Sequence, residues 1–85
     1  LKVAVNSSKS MFGHTLGAAA ALEAIVCVKS IENKIVHQTL NYETPDPDCD
    51  LDYVTKGNRE ISIEYALSNS LGFGGHNGVM IFKKI

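Results

Sequence analysis

The chain has 85 residues and a mass of 9.2 kDa, 45% of it hydrophobic and 20% charged, with a formal net charge of -1. That length allows one domain at most, burying only about 60–65% of its unfolded surface, and the composition excludes a disordered or fibrous chain. The charge gives no basis for the many phosphate contacts of a nucleic-acid binder, and the longest apolar tract, Leu16 to Val28, is shorter than a membrane span and contains Glu23.

Leu1 to Asn6 alternates apolar and polar residues as a strand does, and with no initiator Met before it the chain reads as cut from something longer. Ser7 to Gly13 is then a polar turn leading into a helix from about Leu16 to Asn33, which Thr15 or Ser10 would cap. On that helix Leu22, Ile25 and Val26 form an apolar patch and Glu23, Ser30 and Lys34 a polar stripe. The small residues Ala18 to Ala21 predict a buried N-terminal half. Ile35 to Asn41 alternates again. Thr44-Pro45-Asp46-Pro47-Asp48 is a connector, because each proline disfavours helix at the residue before it.

Leu51 to Val54 reads as a brief strand and Lys56-Gly57-Asn58 as a turn. Ile61 to Leu71 reads as a longer strand with Ile61, Ile63, Tyr65, Leu67 and Asn69 on one face. Gly72 to Gly78 breaks the pattern, and Val79 to Lys83 is a last strand returning antiparallel across the glycine-rich turn. One helix cannot cover both faces of such a sheet, so at least one face requires a cover from outside these 85 residues.

Two stretches carry candidate chemistry. In "KSMFGHTLGAAA", Lys9 and His14 stand at the mouth of the alanine-rich helix, where the positive end of the helix dipole and the Lys9 ammonium both favour a neutral imidazole. A neutral ring there keeps one N–H to hold a carbonyl or enolate oxygen; the plainer alternative is a histidine that bonds a loop carbonyl. A glycine-rich turn before a helix also suits phosphate, but no Gly-Lys-Ser/Thr sequence is present. In "SNSLGFGGHNG", glycines surround Phe73 and free backbone N–H groups for an oxyanion site, the alternative being a simple hairpin with Phe73 packed inward.

Asp46, Asp48, Asp50 and Asp52 alternate like the start of a calcium loop. Leu51 stands where its turn glycine belongs and Gly57 where its bidentate Glu belongs, so no metal is expected. Cys27, mid-helix between Val26 and Val28, reads as a buried thiol, and Cys49, in an acidic loop, as a sluggish one. Two cysteines without CxxC spacing suit a reducing compartment, hence the cytoplasm, unless a targeting segment lies upstream. His37 and His76 have no second ligand at metal spacing and read as solvated or core histidines.

Together "NSSKSMFGHTLGAAAALEAI" and "ALSNSLGFGGHNGVMIFKKI" resemble the C-terminal part of the β-ketoacyl-acyl carrier protein synthases of fatty acid elongation, over essentially all 85 residues. The intervening "NYETPDPDCDLDYV" is similar to the second, longer-chain-accepting type. The resemblance implies an α/β thiolase-like fold, of which residues 1–85 would be a C-terminal fragment of the second half, mixed-sheet strands plus one buried alanine-rich helix. It also implies a decarboxylative Claisen condensation without a cofactor. The implied partners are an acyl carrier protein bearing acyl and malonyl thioesters, the N-terminal part of the same enzyme, and a second copy in a homodimer.

By the same resemblance His14 matches a histidine that donates N–H to the thioester oxygen of the malonyl substrate, and Lys9 the motif's electrostatic lysine. Phe73 matches a gate between the acyl pocket and the malonyl site that also offers its backbone N–H, with Gly72 and Gly74 as substrate-binding neighbours. The nucleophilic cysteine and a second histidine would lie upstream, since neither Cys27 nor Cys49 matches the nucleophile, so the fragment alone should be inactive. Phe12, Ala20 and Leu71 depart from the usual pattern, which bears on chain-length preference and packing rather than on reaction class. The competing expectations are a non-catalytic anion- or acyl-binding module and a structural or dimer-forming fragment.

Overall fold

The structure, a computed structural model, describes residues 3–85. Its elements in chain order are α1 (Lys9–Phe12), a 3-10 turn (Leu16–Ala18), α2 (Ala19–Asn33), β1 (Ile35–Val36), β2 (Arg59–Glu60), β3 (Tyr65–Gly72) and β4 (His76–Lys83). β1 and β2 form one antiparallel pair and β3 and β4 another. The expected helix and final hairpin are both present, and the polar turn before the helix closes into the single helical turn α1, ended by Gly13 at φ 79°.

Helix α2 starts without a side-chain cap. Neither Thr15 nor Ser10 fills that place: the Thr15 hydroxyl is unpartnered, and Ser10 Oγ instead donates to the Ser7 carbonyl and accepts from Leu40 N–H. The helix ends at Lys34, whose left-handed backbone (φ 57°) lets its N–H reach the Ser30 carbonyl, a common helix stop.

Four strand expectations are corrected. The first falls partly outside the described residues, since Leu1 and Lys2 are not among them; within Val3 to Asn6 only Ala4 pairs, in a single parallel bridge to Asp52. The expected strand at Leu51 to Val54 shrinks to that same bridge, because Val54 turns out of extended geometry at φ 51°, a costly conformation for a β-branched residue. Ile35 to Asn41 is a strand only over β1. Beyond it the ladder gives way to mixed partners, Gln38 N–H donating to Asn58 Oδ1, Thr39 N–H to the Val54 carbonyl and Leu40 N–H to Ser10 Oγ.

The long strand expected from Ile61 to Leu71 is split. Its first residues belong with β1 and β2, Ile61 N–H donating to the Lys34 carbonyl, before the chain changes partner and pairs with β4 from Tyr65 onward. The β3–β4 register then runs unbroken from Tyr65↔Lys83 to Gly72↔His76.

Helix α2 packs on this hairpin, chiefly on β3. Successive strand residues face opposite sides, and the burial in β3 falls at Ala66, Ser68 and Ser70, the side that meets the helix. The other side carries Tyr65, Leu67 and Leu71 on β3 and Val79 and Ile81 on β4, all exposed. The helix was expected to be buried along its N-terminal half, but only Ala19, at 8%, is buried there. Less exposed positions recur at Glu23, Val26, Cys27, Ser30 and Ile31, one side at helical spacing, so the apolar Leu22, Ile25 and Val28 stay open while Glu23 is tucked in.

The accessible surface is 6660 Å², where a folded monomer of this mass shows about 4,900 Å². The radius of gyration is 13.1 Å, against about 12 Å for a self-contained domain of this length. Both departures have the same origin, an α/β layer that is open on its outer helix face and its outer sheet face.

Candidate active site

The loop between α1 and the 3-10 turn holds His14 at the entrance of α2. Leu16 N–H donates to His14 Nδ1 at 3.0 Å. A ring nitrogen that accepts carries no proton, so in this geometry the imidazole is neutral and its N–H is on Nε2. His14 is exposed, leaving that N–H open to a ligand. The contact depends on Leu16 adopting φ 52°, an uncommon conformation for a bulky residue that costs of order 1–3 kcal/mol. Gly13 before it turns at φ 79°, where a Cβ would be strained although nothing crowds it.

Lys9 was expected to act on His14 as a nearby cation. Its Nζ instead pairs with Glu23 Oε2 at 2.5 Å, and the Glu23 side chain is only 13% exposed. The pair ties α1 to the second turn of α2. Glu23, read from the sequence as part of a polar stripe, is thus the partner of Lys9. Its signal was present, an acidic residue inside an otherwise apolar tract, but the partner lies 14 residues earlier and is joined only by tertiary folding.

The segment around His14 is tied to the connector after β1 by several bonds. Asn6 Nδ2 donates to the His37 carbonyl (2.8 Å), Ser7 N–H to Thr39 Oγ1 (3.1 Å), and Ser8 Oγ bonds His37 Nε2 (2.9 Å). His37, expected as a solvated or core histidine, is half-buried in this seam.

Later in the chain, β3 and β4 are joined by a three-residue turn, Phe73-Gly74-Gly75. Gly74 and Gly75 take φ 89° and 87°, which is where glycine is required. The His76 ring lies against Gly74, within ordinary contact of where a Cβ would be, and Gly72 pairs with His76 across the base of the turn. Phe73 is 105% exposed, so the inward-packed alternative does not hold: the ring is displayed at the tip. Among the described residues no hydrogen bond joins His14, Lys9 or Phe73 to one another. Each is delivered by a separate element, with α2 and the hairpin packed together beneath them.

Of the two cysteines, burial and then the negative charge of Glu23 push the Cys27 thiol above its ordinary value, the setting of an inert thiol. Cys49 is exposed. Asp52, one of the alternating acids, is held by both guanidinium nitrogens of Arg59 at 2.5 and 2.8 Å, and that bond lowers its carboxyl below the usual carboxylate range.

The class these features define is an α/β chain of thiolase-like type. Two solved structures superpose on nearly all of it. One is a complex described as a type II PKS acyl-carrier protein with its ketosynthase bound to the hexaketide (TM-score 0.94, 44% identity, 98% of this chain and 20% of that one). The other is a β-ketoacyl synthase from Burkholderia phymatum STM815 (TM-score 0.92, 40% identity, 99% of this chain and 21% of that one).

Residues 1–43 match the family model described as β-ketoacyl synthase, C-terminal domain, and the chain belongs to that family. Among curated relatives, the 3-oxoacyl-[acyl-carrier-protein] synthase 2 of Staphylococcus aureus strain COL is 54% identical over 80 residues, covering 94% of this chain and 19% of the relative. The protein of the same name from Synechocystis sp. is 51% identical over 82 residues, covering 96% of this chain and 20% of the relative. The chain therefore spans about a fifth of the length of the curated relatives it matches.

Proposed function

We propose that this chain acts as the C-terminal part of a β-ketoacyl-acyl carrier protein synthase, joining an acyl group to malonyl-acyl carrier protein with loss of carbon dioxide. The bond from the malonyl α-carbon to its carboxylate breaks and leaves its electron pair as a thioester enolate. The enolate carbon then attacks the acyl thioester carbonyl and expels the thiolate of the enzyme's own cysteine, which lies outside these 85 residues.

In this reading His14 donates its Nε2 N–H to the enolate oxygen and keeps the proton throughout, which a ring held neutral by Leu16 N–H is suited to do. The salt-bridged Lys9 supports the site electrostatically and anchors the His14 loop through Glu23. Phe73 gates passage between the acyl pocket and the malonyl site, its own N–H serving as an oxyanion donor, with Gly72 and Gly74 keeping the backbone there accessible. The remaining length of the enzyme supplies the nucleophile and a second histidine and covers the open apolar faces. The enzyme works as a cytoplasmic homodimer and needs no cofactor.

The observation that carries the reading is the His14 geometry within a chain of this family. In the full-length enzyme, His14→Ala should slow release of carbon dioxide from malonyl-acyl carrier protein by roughly 10²–10³-fold, the usual loss for one oxyanion donor. An unchanged rate would refute the role, and would leave a structural or dimer-forming part as the better description.

A further inference from the structure

The residues that hold the His14 loop in place include one that neither the motif nor the family match singles out. His37 Nδ1 lies 2.9 Å from the Gln38 carbonyl, and a carbonyl only accepts, so Nδ1 carries the ring proton. In the singly protonated ring that leaves a lone pair at Nε2, to which the Ser8 hydroxyl, 2.9 Å away, donates. Ser8 is itself buried, and its carbonyl accepts from Met11 and Phe12 N–H, which start α1. The chain of contacts thus runs from Gln38 through the His37 ring to Ser8, then into the turn that carries Lys9 and ends at Gly13, immediately before His14.

We propose that His37 is a positioning residue for malonyl decarboxylation, fixing the Lys9–His14 loop through its bond to Ser8. The inference rests on the role proposed above for His14. It differs from general packing because the ring acts at one atom: Nε2 must accept, and a side chain that accepts at the same reach should replace it. The neighbouring bonds, Asn6 to the His37 carbonyl and Ser7 N–H to Thr39 Oγ1, survive substitution of the ring and keep the seam assembled.

The test uses the full-length enzyme and two half-reactions, carbon dioxide release from malonyl-acyl carrier protein and acyl transfer to the enzyme's cysteine, the second of which has no part for His14 in the mechanism proposed above. His37→Ala should lower the first roughly tenfold, the scale expected when a group on a loosened loop drifts by a fraction of an ångström, and leave the second unchanged. His37→Gln, whose Oε1 reaches about as far as Nε2, should restore most of the loss. Ser8→Ala should match His37→Ala, and the double variant should be no slower than either single one.

Decarboxylation at the wild-type rate in His37→Ala, alongside a crippled His14→Ala, overturns the proposal and leaves the role of His14 standing. Equal falls in both half-reactions, or effects of Ser8→Ala and His37→Ala that multiply, overturn it as well, since they mark a purely structural contribution. A wild-type rate in His14→Ala removes the reading on which the proposal stands.

Discussion

At the scale of single residues, the site separates groups that hold the fold from groups that are only displayed by it. Phe73 packs against none of the described residues, so whatever stability Phe73→Ala removes from the full-length enzyme comes from contacts beyond these 85 residues, and a loss above about 0.5 kcal/mol would show such contacts. The same variant should alter acyl transfer; a matched pair of denaturant melts and transfer assays checks both halves. The cysteines give a second contrast. With its thiol held in the protonated form by burial and Glu23, Cys27 should resist alkylation at neutral pH while exposed Cys49 is modified first, as mass mapping after brief iodoacetamide treatment would show. The place of His14 at the mouth of the helix was legible in the sequence because a histidine, glycines and an alanine-rich tract are adjacent there. The neutral tautomer was reached by a different route: the helix dipole was expected to favour it, while the structure adds a direct bond from Leu16 N–H that requires an unfavourable backbone angle no residue type at that position announces.

At the scale of elements, α2 and the β3–β4 hairpin were readable because each is specified locally, by a long apolar tract with small residues and by two strand patterns flanking glycines. The short pieces were not. β1 and β2 each span two residues, and their neighbours are held by long-range side-chain bonds such as Gln38 N–H to Asn58 and Gly57 N–H to Gln38 Oε1, for which no periodicity exists. Of the apolar patch expected at Leu22, Ile25 and Val26, only Val26 falls on the less exposed side; Leu22 and Ile25 stay open, and Glu23 is tucked in where it meets Lys9. The Asp52–Arg59 pair fastens β2 to the bridge at Ala4. Because the folded Asp52 carboxyl titrates below its unfolded value, its contribution is present above the ordinary aspartate range and is lost as pH falls through the lowered one. Arg59→Gln should return Asp52 to the ordinary range, measurable by following its side-chain carboxyl carbon in an NMR titration; an unmoved titration would show that the guanidinium is not the cause.

For the whole molecule, the deciding quantity is how little it buries. Among the described residues only Ala19 and Val54 are buried apolar side chains, and Val54, at 1% exposed, occupies a strained angle. The roughly 1,700 Å² by which the accessible surface exceeds that of a monomer of this mass is about twice what one partner contributes to an ordinary interface. The 85 residues prepared alone should therefore give a broad, non-cooperative thermal transition and no condensing activity. A sharp calorimetric peak from a monomer would instead support the self-standing binding module. A sheet face left open by the single helix was expected, and an outer helix face is open as well. The hairpin adds a hazard of a different kind. β3 and β4 pair only with each other among the described residues, leaving two free edges beside a face of Tyr65, Leu67, Leu71, Val79 and Ile81. Such a surface is a template for strand addition by other copies, so a segment released by proteolysis would be a substrate for chaperones and proteases or a seed for aggregates.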